Sequence, residues 1–287
     1  MQSEHKTGLV MEGGAMRGLF SAGVLDVFME QDITFDGMIG VSAGATFGCN
    51  FITHQPGRAL RYCMRYRHDP RFCSVPSLLL TGDMFGAEFC YHTIPEKLDP
   101  IDNETFVSSG IPFYLVATDV ETGKAVYHLC RDVVSDDELA WMRAGASMPL
   151  ASRIVHVGGR GLLDGGIADS VPLKYFEYKG YARNVVVLTQ PKGYQKQPNS
   201  MMPAVRRVYR KYPALIAAMG RRHLMYNRQI QYVEEAEQRG DVFLIRPAQT
   251  LPVEHVSHSG AKLQAVYDAG REAAQQALPQ IRAFLEK

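Results

Sequence analysis

Thr7-Gly8-Leu9-Val10-Met11-Glu12-Gly13-Gly14-Ala15-Met16-Arg17-Gly18 and Gly37-Met38-Ile39-Gly40-Val41-Ser42-Ala43-Gly44 decide how this chain is read. In both stretches a short apolar run ends in glycine-rich sequence and a helical pattern follows. Thr7–Met11 is predicted as a strand, and Leu19, Ala22, Gly23, Leu25, Val27 and Phe28 recur at roughly helical spacing across Leu19–Glu30. Phe35–Val41 is predicted as a second strand and Ala43–Thr53 as a helix rich in small residues. Strands alternating with helices imply an α/β fold whose mainly parallel sheet is covered on both faces. Further strands are expected at Pro112–Asp119, Ala125–Leu129, Arg153–Val157 and Asn184–Leu188. The last of these, NVVVL, is continuously apolar, as a central strand should be. Asp241–Ile245 suggests that the sheet is completed from the C-terminal part, and Ser259–Glu286 reads as a helix with a break expected at Pro279.

The chain has 287 residues, 46% hydrophobic and 21% charged, which suits a soluble domain with a substantial core and argues against disorder. Cys49, Cys63, Cys73, Cys90 and Cys130 are odd in number and lack metal-ligand spacing, so neither a disulfide scaffold nor a metal site is expected. The opening has no apolar signal region and no apolar run approaches 18 residues. A cytoplasmic protein is the expectation, in contact at most with the inner face of the membrane.

Gly40-Val41-Ser42-Ala43-Gly44 is a G-x-S-x-G between a predicted strand and a predicted helix, the setting in which this motif presents a nucleophile. Glycines on both sides allow a sharp turn, and the N-terminus of the following helix favours a developing oxyanion. The alternative is a serine N-cap in a glycine-rich turn. Gly13, Gly14 and Ala15 let main-chain N–H groups approach a ligand oxygen, while Arg17 supplies a cation or braces the loop up to Gly18. This loop also suits a Rossmann-like dinucleotide binder, although Ala15 stands where that fingerprint has glycine; Asp36 would be its ribose-binding acid. Asp164-Gly165-Gly166 is either a plain turn or a carboxylate that serves Ser42 as general base.

Together the three features resemble the patatin-like phospholipase family. The glycine loop is Gly13–Gly18, the nucleophile elbow is Gly40–Gly44 and the aspartate motif is Asp164–Gly166, in the family's order. Ala144-Gly145-Ala146-Ser147-Met148-Pro149 looks like the segment that precedes the family's aspartate motif. The resemblance covers roughly residues 6–176 as the hydrolase core, leaving 177–287 as the part that completes the sheet. It implies a three-layer α/β/α fold and a Ser–Asp dyad without histidine. Ser42 would be the nucleophile, Asp164 the base, and the amides of Gly13, Gly14 and Ala15 the oxyanion hole. The implied activity is hydrolysis of lipid or phospholipid acyl esters through an acyl-enzyme, with no cofactor or metal. Two positions depart from the family: Ala15 replaces a glycine, harmless only if its φ is negative, and Asp169 stands where relatives often have asparagine. Asp169 would raise the pKa of the base by repulsion or serve structure; a structural role is expected. A Ser-His-Asp esterase would need His255 or His258, a pair that more simply reads as an exposed loop feature or a weak metal site.

Between Tyr178 and Val233 there is no Asp or Glu but eleven Lys/Arg, so a net charge of +1 conceals a polarised molecule. Residues 203–239 are predicted as basic amphipathic helix, interrupted at Pro213. Arg206, Arg207, Arg210, Lys211, Arg221, Arg222 and Arg228 form either a solvated face or a surface for anionic membrane; no nucleic-acid reader motif accompanies them.

Overall fold

The computed structural model describes residues 6–253 and 256–286. The first half runs β1 (Lys6–Met11), α1 (Gly18–Glu30), β2 (Gly37–Val41), α2 (Ala43–Ile52), α3 (Arg58–Tyr66), α4 (Val75–Thr81), a π-helical stretch Phe89–Leu98, α5 (Asn103–Ser108), β3 (Phe113–Asp119) and β4 (Ala125–Cys130). The second runs α6 (Asp136–Gly145), β5 (Val155–Val157), β6 (Arg160–Asp164), α7 (Leu173–Tyr178), β7 (Tyr181–Val187), α8 (Met202–Val208), α9 (Pro213–Arg239), β8 (Val242–Ile245) and α10 (Gly260–Leu285).

The strands form one sheet in the order β5-β6-β3-β2-β1-β7-β8, with β4 on the free edge of β3. The pairings from β3 through β8 are parallel, and β4, β5 and β6 are antiparallel additions. Strand residues alternate between two cores, as a pleated sheet covered on both faces requires. Leu9, Met11, Met38, Leu115 and Val187 face the layer that contains α1, α2 and α10. Val10, Ile39, Val116, Val186 and Leu188 face α7 and α9, against Phe176, Tyr226 and Val233. The sheet is therefore the middle of three layers.

Register explains how distant residues meet. Val41, the last residue of β2, pairs with Val116 of β3. On its other edge β3 carries β4 continuously from Phe113 to Thr118. The pairing of Asp164 with Ala117 therefore falls on the edge that β2 has just vacated. β6 continues where β2 stops, and Asp164 arrives beside the residue that follows Val41.

Two expectations need correction. β6, Arg160–Asp164, is a strand not among those expected from the sequence, and the two glycines of the turn before it, Gly158 and Gly159, have positive φ. α10 passes through Pro279 without a break. Its packing on both sides of the proline, through Ala274, Ile281 and Phe284, outweighs one lost hydrogen bond. Pro213 does separate two helices, as the first residue of α9.

Candidate active site

Ser42 occupies the turn between β2 and α2 with φ 53° and ψ −122°. A non-glycine residue held there stores about 1–3 kcal/mol of backbone strain. The turn is forced by close packing. A Cβ on Gly40 would stand 2.6 Å from the Ala45 nitrogen, and one on Gly44 would stand 2.6 Å from the Met11 carbonyl oxygen. Larger residues at either position would push α2 away from β1 and β2. The hydroxyl makes no capping bond to α2, which leaves it available to a neighbour.

Asp164 lies beside the Ser42 hydroxyl and is buried, 6% exposed. Its main chain is pinned on two sides: its N–H donates to the Ser147 carbonyl at 2.8 Å, and Thr118 Oγ1 donates to its own carbonyl at 2.8 Å. Ser147 belongs to the 144–149 segment, whose contribution is thus to hold the aspartate strand. Asp164 Oδ1 accepts the Gly166 N–H at 2.8 Å. Gly165 leaves no room for a side chain, since a Cβ would lie 2.2 Å from the Val116 carbonyl oxygen. Burial pushes the Asp164 carboxyl above its ordinary value; Arg222, the Ser42 hydroxyl, the Gly166 N–H and Lys196 oppose that rise. A buried carboxylate raised by desolvation but still held by cations is poised to accept a proton.

Gly13, Gly14 and Ala15 form the opposite wall. A Cβ on Gly13 would lie 2.8 Å from Ser42 Cβ, so this backbone approaches the serine as closely as sterics permit. Among the described residues the N–H groups of Gly13, Gly14 and Ala15 have no protein acceptor. The loop is tied down by buried Glu12, which accepts the Thr189 N–H at 2.6 Å, and by Thr189 Oγ1, which lies 3.0 Å from the Gly13 carbonyl oxygen. Ala15 has φ 48°, so replacement of glycine is the costly case of the two foreseen. Gly18 meets α2 closely; a Cβ there would be 2.7 Å from Ala43 Cβ.

Cations gather on this side. Arg222 Nε donates to the Gly166 carbonyl at 2.6 Å, and Lys196 Nζ lies 4.4 Å from the centre of the Tyr226 ring. Arg17 caps the glycine loop through its N–H to the Gly14 carbonyl, and its Nε is buried without a partner. Sequence reading placed Arg222 among surface cations and did not single out Lys196, Glu12 or Thr189. Only the rotation of α9 and the course of the 189–196 loop reveal them. Asp169 does not act on Asp164: its carboxylate accepts from Tyr127 Oη at 2.7 Å and from Gln229 Nε2, whose Oε1 accepts the N–H groups of Ser170 and Val171. Its role is structural.

On the other side of Ser42 a cavity of about 140 Å³ runs between α2, α3, α6 and the π-helical stretch. Phe47, Tyr62, Phe72, Ile94, Leu139 and Met142 contribute its mainly apolar wall. Ser42 therefore stands at the boundary between an apolar slot and a cationic loop cluster.

The rival readings fail on position. Asp36 precedes β2 and accepts the Thr7 N–H at 2.6 Å, at the end of the sheet opposite the glycine loop. A ribose-binding acid has to stand at the carboxyl end of the strands, so the dinucleotide reading is corrected. His258 is exposed, hydrogen-bonded to the Arg67 carbonyl and stacked on His68, and no histidine lines the cavity. His255 lies outside the described residues.

Comparison with known proteins identifies the family. Residues 9–177 match the family model "Patatin-like phospholipase", and residues 212–286 match a domain of unknown function, DUF6363. The chain belongs to the patatin-like phospholipase family. It is 33% identical over 188 residues to the uncharacterized protein YjjU of Escherichia coli (strain K12), an alignment covering 64% of this chain and 52% of YjjU. It is 26% identical over 288 residues to lysophospholipase NTE1 of Mycosarcoma maydis, covering 93% of this chain and 14% of that protein. The chain thus spans about half or less of these relatives. The crystal structure of VipD from Legionella pneumophila aligns over 96% of this chain and 67% of that one, with TM-score 0.46 and 10% identity. No helix among the described residues is long and apolar enough to cross a membrane.

Proposed function

We propose that this protein is a serine acyl hydrolase that cleaves lipid acyl esters with Ser42 as nucleophile and Asp164 as general base. The observation that carries this reading is the register that brings Asp164 onto the vacated edge of β3 beside Ser42. Asp164 takes the proton from Ser42 Oγ as the oxygen attacks the ester carbonyl, and the carbonyl π pair moves onto its oxygen. The N–H groups of Gly13, Gly14 and Ala15 receive that charge; one such donor is worth about a hundred- to a thousandfold in rate. Collapse expels the alcohol, which takes the proton from Asp164, and an acyl-Ser42 remains. Asp164 then deprotonates water; its attack releases the fatty acid, and the proton returns to Ser42. The chemistry calls for no cofactor. The apolar cavity suits the acyl chain.

The same reading places the protein at a lipid surface. Arg206, Arg207, Arg210, Lys211, Arg221 and Arg228 are exposed, and each is worth about 1 kcal/mol near an anionic bilayer. Leu79 and Leu80 of α4 are 79% and 83% exposed. The chain that follows α4 runs beside the cavity, since Met84 donates its N–H to the carbonyl of Ala151, the neighbour of the lining residue Ser152. This surface supports a peripheral position on the inner, anionic face of a membrane. Hydrolysis of p-nitrophenyl acyl esters tests the proposal: Ser42→Ala and Asp164→Ala are each expected to abolish turnover while retaining the fold, and full activity in either overturns the dyad.

A further inference from the structure

Lys196 and Arg222 come from the C-terminal part of the chain, yet both reach the site. Lys196 lies in the loop after β7 and Arg222 on α9; they act electrostatically on Asp164 and on one another. Among the described residues neither they nor Arg17 has a carboxylate oxygen within 4.0 Å. The two nearby acids are already engaged, Glu12 by Thr189 and Asp164 by Gly166. Lys196 is held instead by aromatic rings, 4.4 Å from the centre of Tyr226 and 5.8 Å from that of Tyr194. Arg222 spends its Nε on Gly166, and its Nη2 lies 3.1 Å from the point a Gly166 Cβ would occupy. Burial, Arg222 and Arg17 push Lys196 down to about 8 against the attraction of Glu12 and Asp164. Three partly desolvated cations gathered without ion pairs carry a standing repulsion, which a bound anion would reverse.

We infer that Lys196 and Arg222, backed by Arg17, form a binding site for a phosphoryl anion on the side of Ser42 opposite the apolar cavity. A tetrahedral anion with several oxygens can engage the point charge of a lysine and the planar fork of an arginine together. Two sources share that chemistry. One is the headgroup phosphate of an acyl glycerophospholipid whose chain lies in the cavity, and the other is free phosphate. The headgroup source rests on the acyl-hydrolase reading; anion binding itself does not.

Calorimetric titration of inorganic phosphate and of glycerol 3-phosphate into the Ser42→Ala protein tests the site without turnover. Binding is expected, weakened at least tenfold when Lys196→Gln is added and restored by Lys196→Arg. Equal affinity in the Gln variant, or no binding before it, overturns the proposal. The second arm compares rates on a lysophosphatidylcholine and on a monoacylglycerol with the same acyl chain. A tenfold fall in the ratio in Lys196→Gln assigns the site to the headgroup, and an unmoved ratio in a variant whose phosphate binding has weakened assigns it to free phosphate. A protein that binds phosphate through Lys196 but hydrolyses no ester keeps this site and contradicts the hydrolase reading instead.

Discussion

Arg222 Nε donates to the carbonyl oxygen of Gly166 at 2.6 Å, which presses a guanidinium from α9 against the turn that carries Asp164. Burial raises the Asp164 carboxyl, and Arg222 is the largest influence in the opposite direction. The base must be ionised to act, so kcat/KM on a soluble ester should rise with pH along an acid limb above the ordinary carboxylate range. Arg222→Met is expected to move that limb to higher pH, and Arg222→Lys to keep it nearer its original position. A lower rate with an unmoved limb would mean that Arg222 serves only to brace the turn.

The same shift bears on stability. A carboxyl whose folded-state pKa exceeds its unfolded value of 3.8 contributes stability at low pH and loses it as pH rises through the folded-state value. At neutral pH Asp164 is therefore a burden on the fold. Asp164→Asn keeps the acceptor for the Gly166 N–H and should raise Tm at pH 7 while eliminating turnover. A clear fall in Tm would contradict this account.

Ala15 is strained at φ 48°. Ala15→Gly removes a cost of about 1–2 kcal/mol, offset by about 0.4–1 kcal/mol of added freedom in the unfolded chain. Denaturant titration should show a net gain between about 0 and 1.6 kcal/mol, with esterase activity retained. Ala15→Val, β-branched at positive φ, should lose both stability and activity.

The exposed cations of α8 and α9 should bring the protein to anionic but not zwitterionic vesicles, an attraction screened over roughly 8 Å at physiological salt. Cosedimentation of the Arg206→Glu, Arg207→Glu, Arg221→Glu variant should fall sharply, with p-nitrophenyl ester turnover preserved. Arg222 is left out of this set because it faces the site. Equal binding to both vesicle types would leave these residues as a solvated helix face.

Strong periodicity made much of the fold legible. NVVVL announced the buried β7, which lies one strand in from the β8 edge, and the alternation of strand and helix through Ile52 announced the parallel core. β6 was hidden because Arg160 and Gly161 open it without an apolar signal. The helices between Arg58 and Ser108 fall outside that alternation, although α3 is amphipathic and the side chains of Ser74 and Asp102 cap α4 and α5. Ser42, Asp164 and the glycine loop could be read because the close approaches they need demand glycine at particular positions. Arg222 could not, because an arginine in a basic helix looks the same whether it faces water or the site. Lys196 was invisible for the same reason, in a loop whose path only the folded chain defines.

A fluorophosphonate probe reports most directly on the central claim, that Ser42 is an activated nucleophile. Incubated with the protein, it should label one residue stoichiometrically, and peptide mass spectrometry should find the adduct on Ser42. Labelling should vanish in Ser42→Ala and fall by orders of magnitude in Asp164→Asn. Absence of labelling in the unaltered protein, or undiminished labelling in Ser42→Ala, would contradict the account.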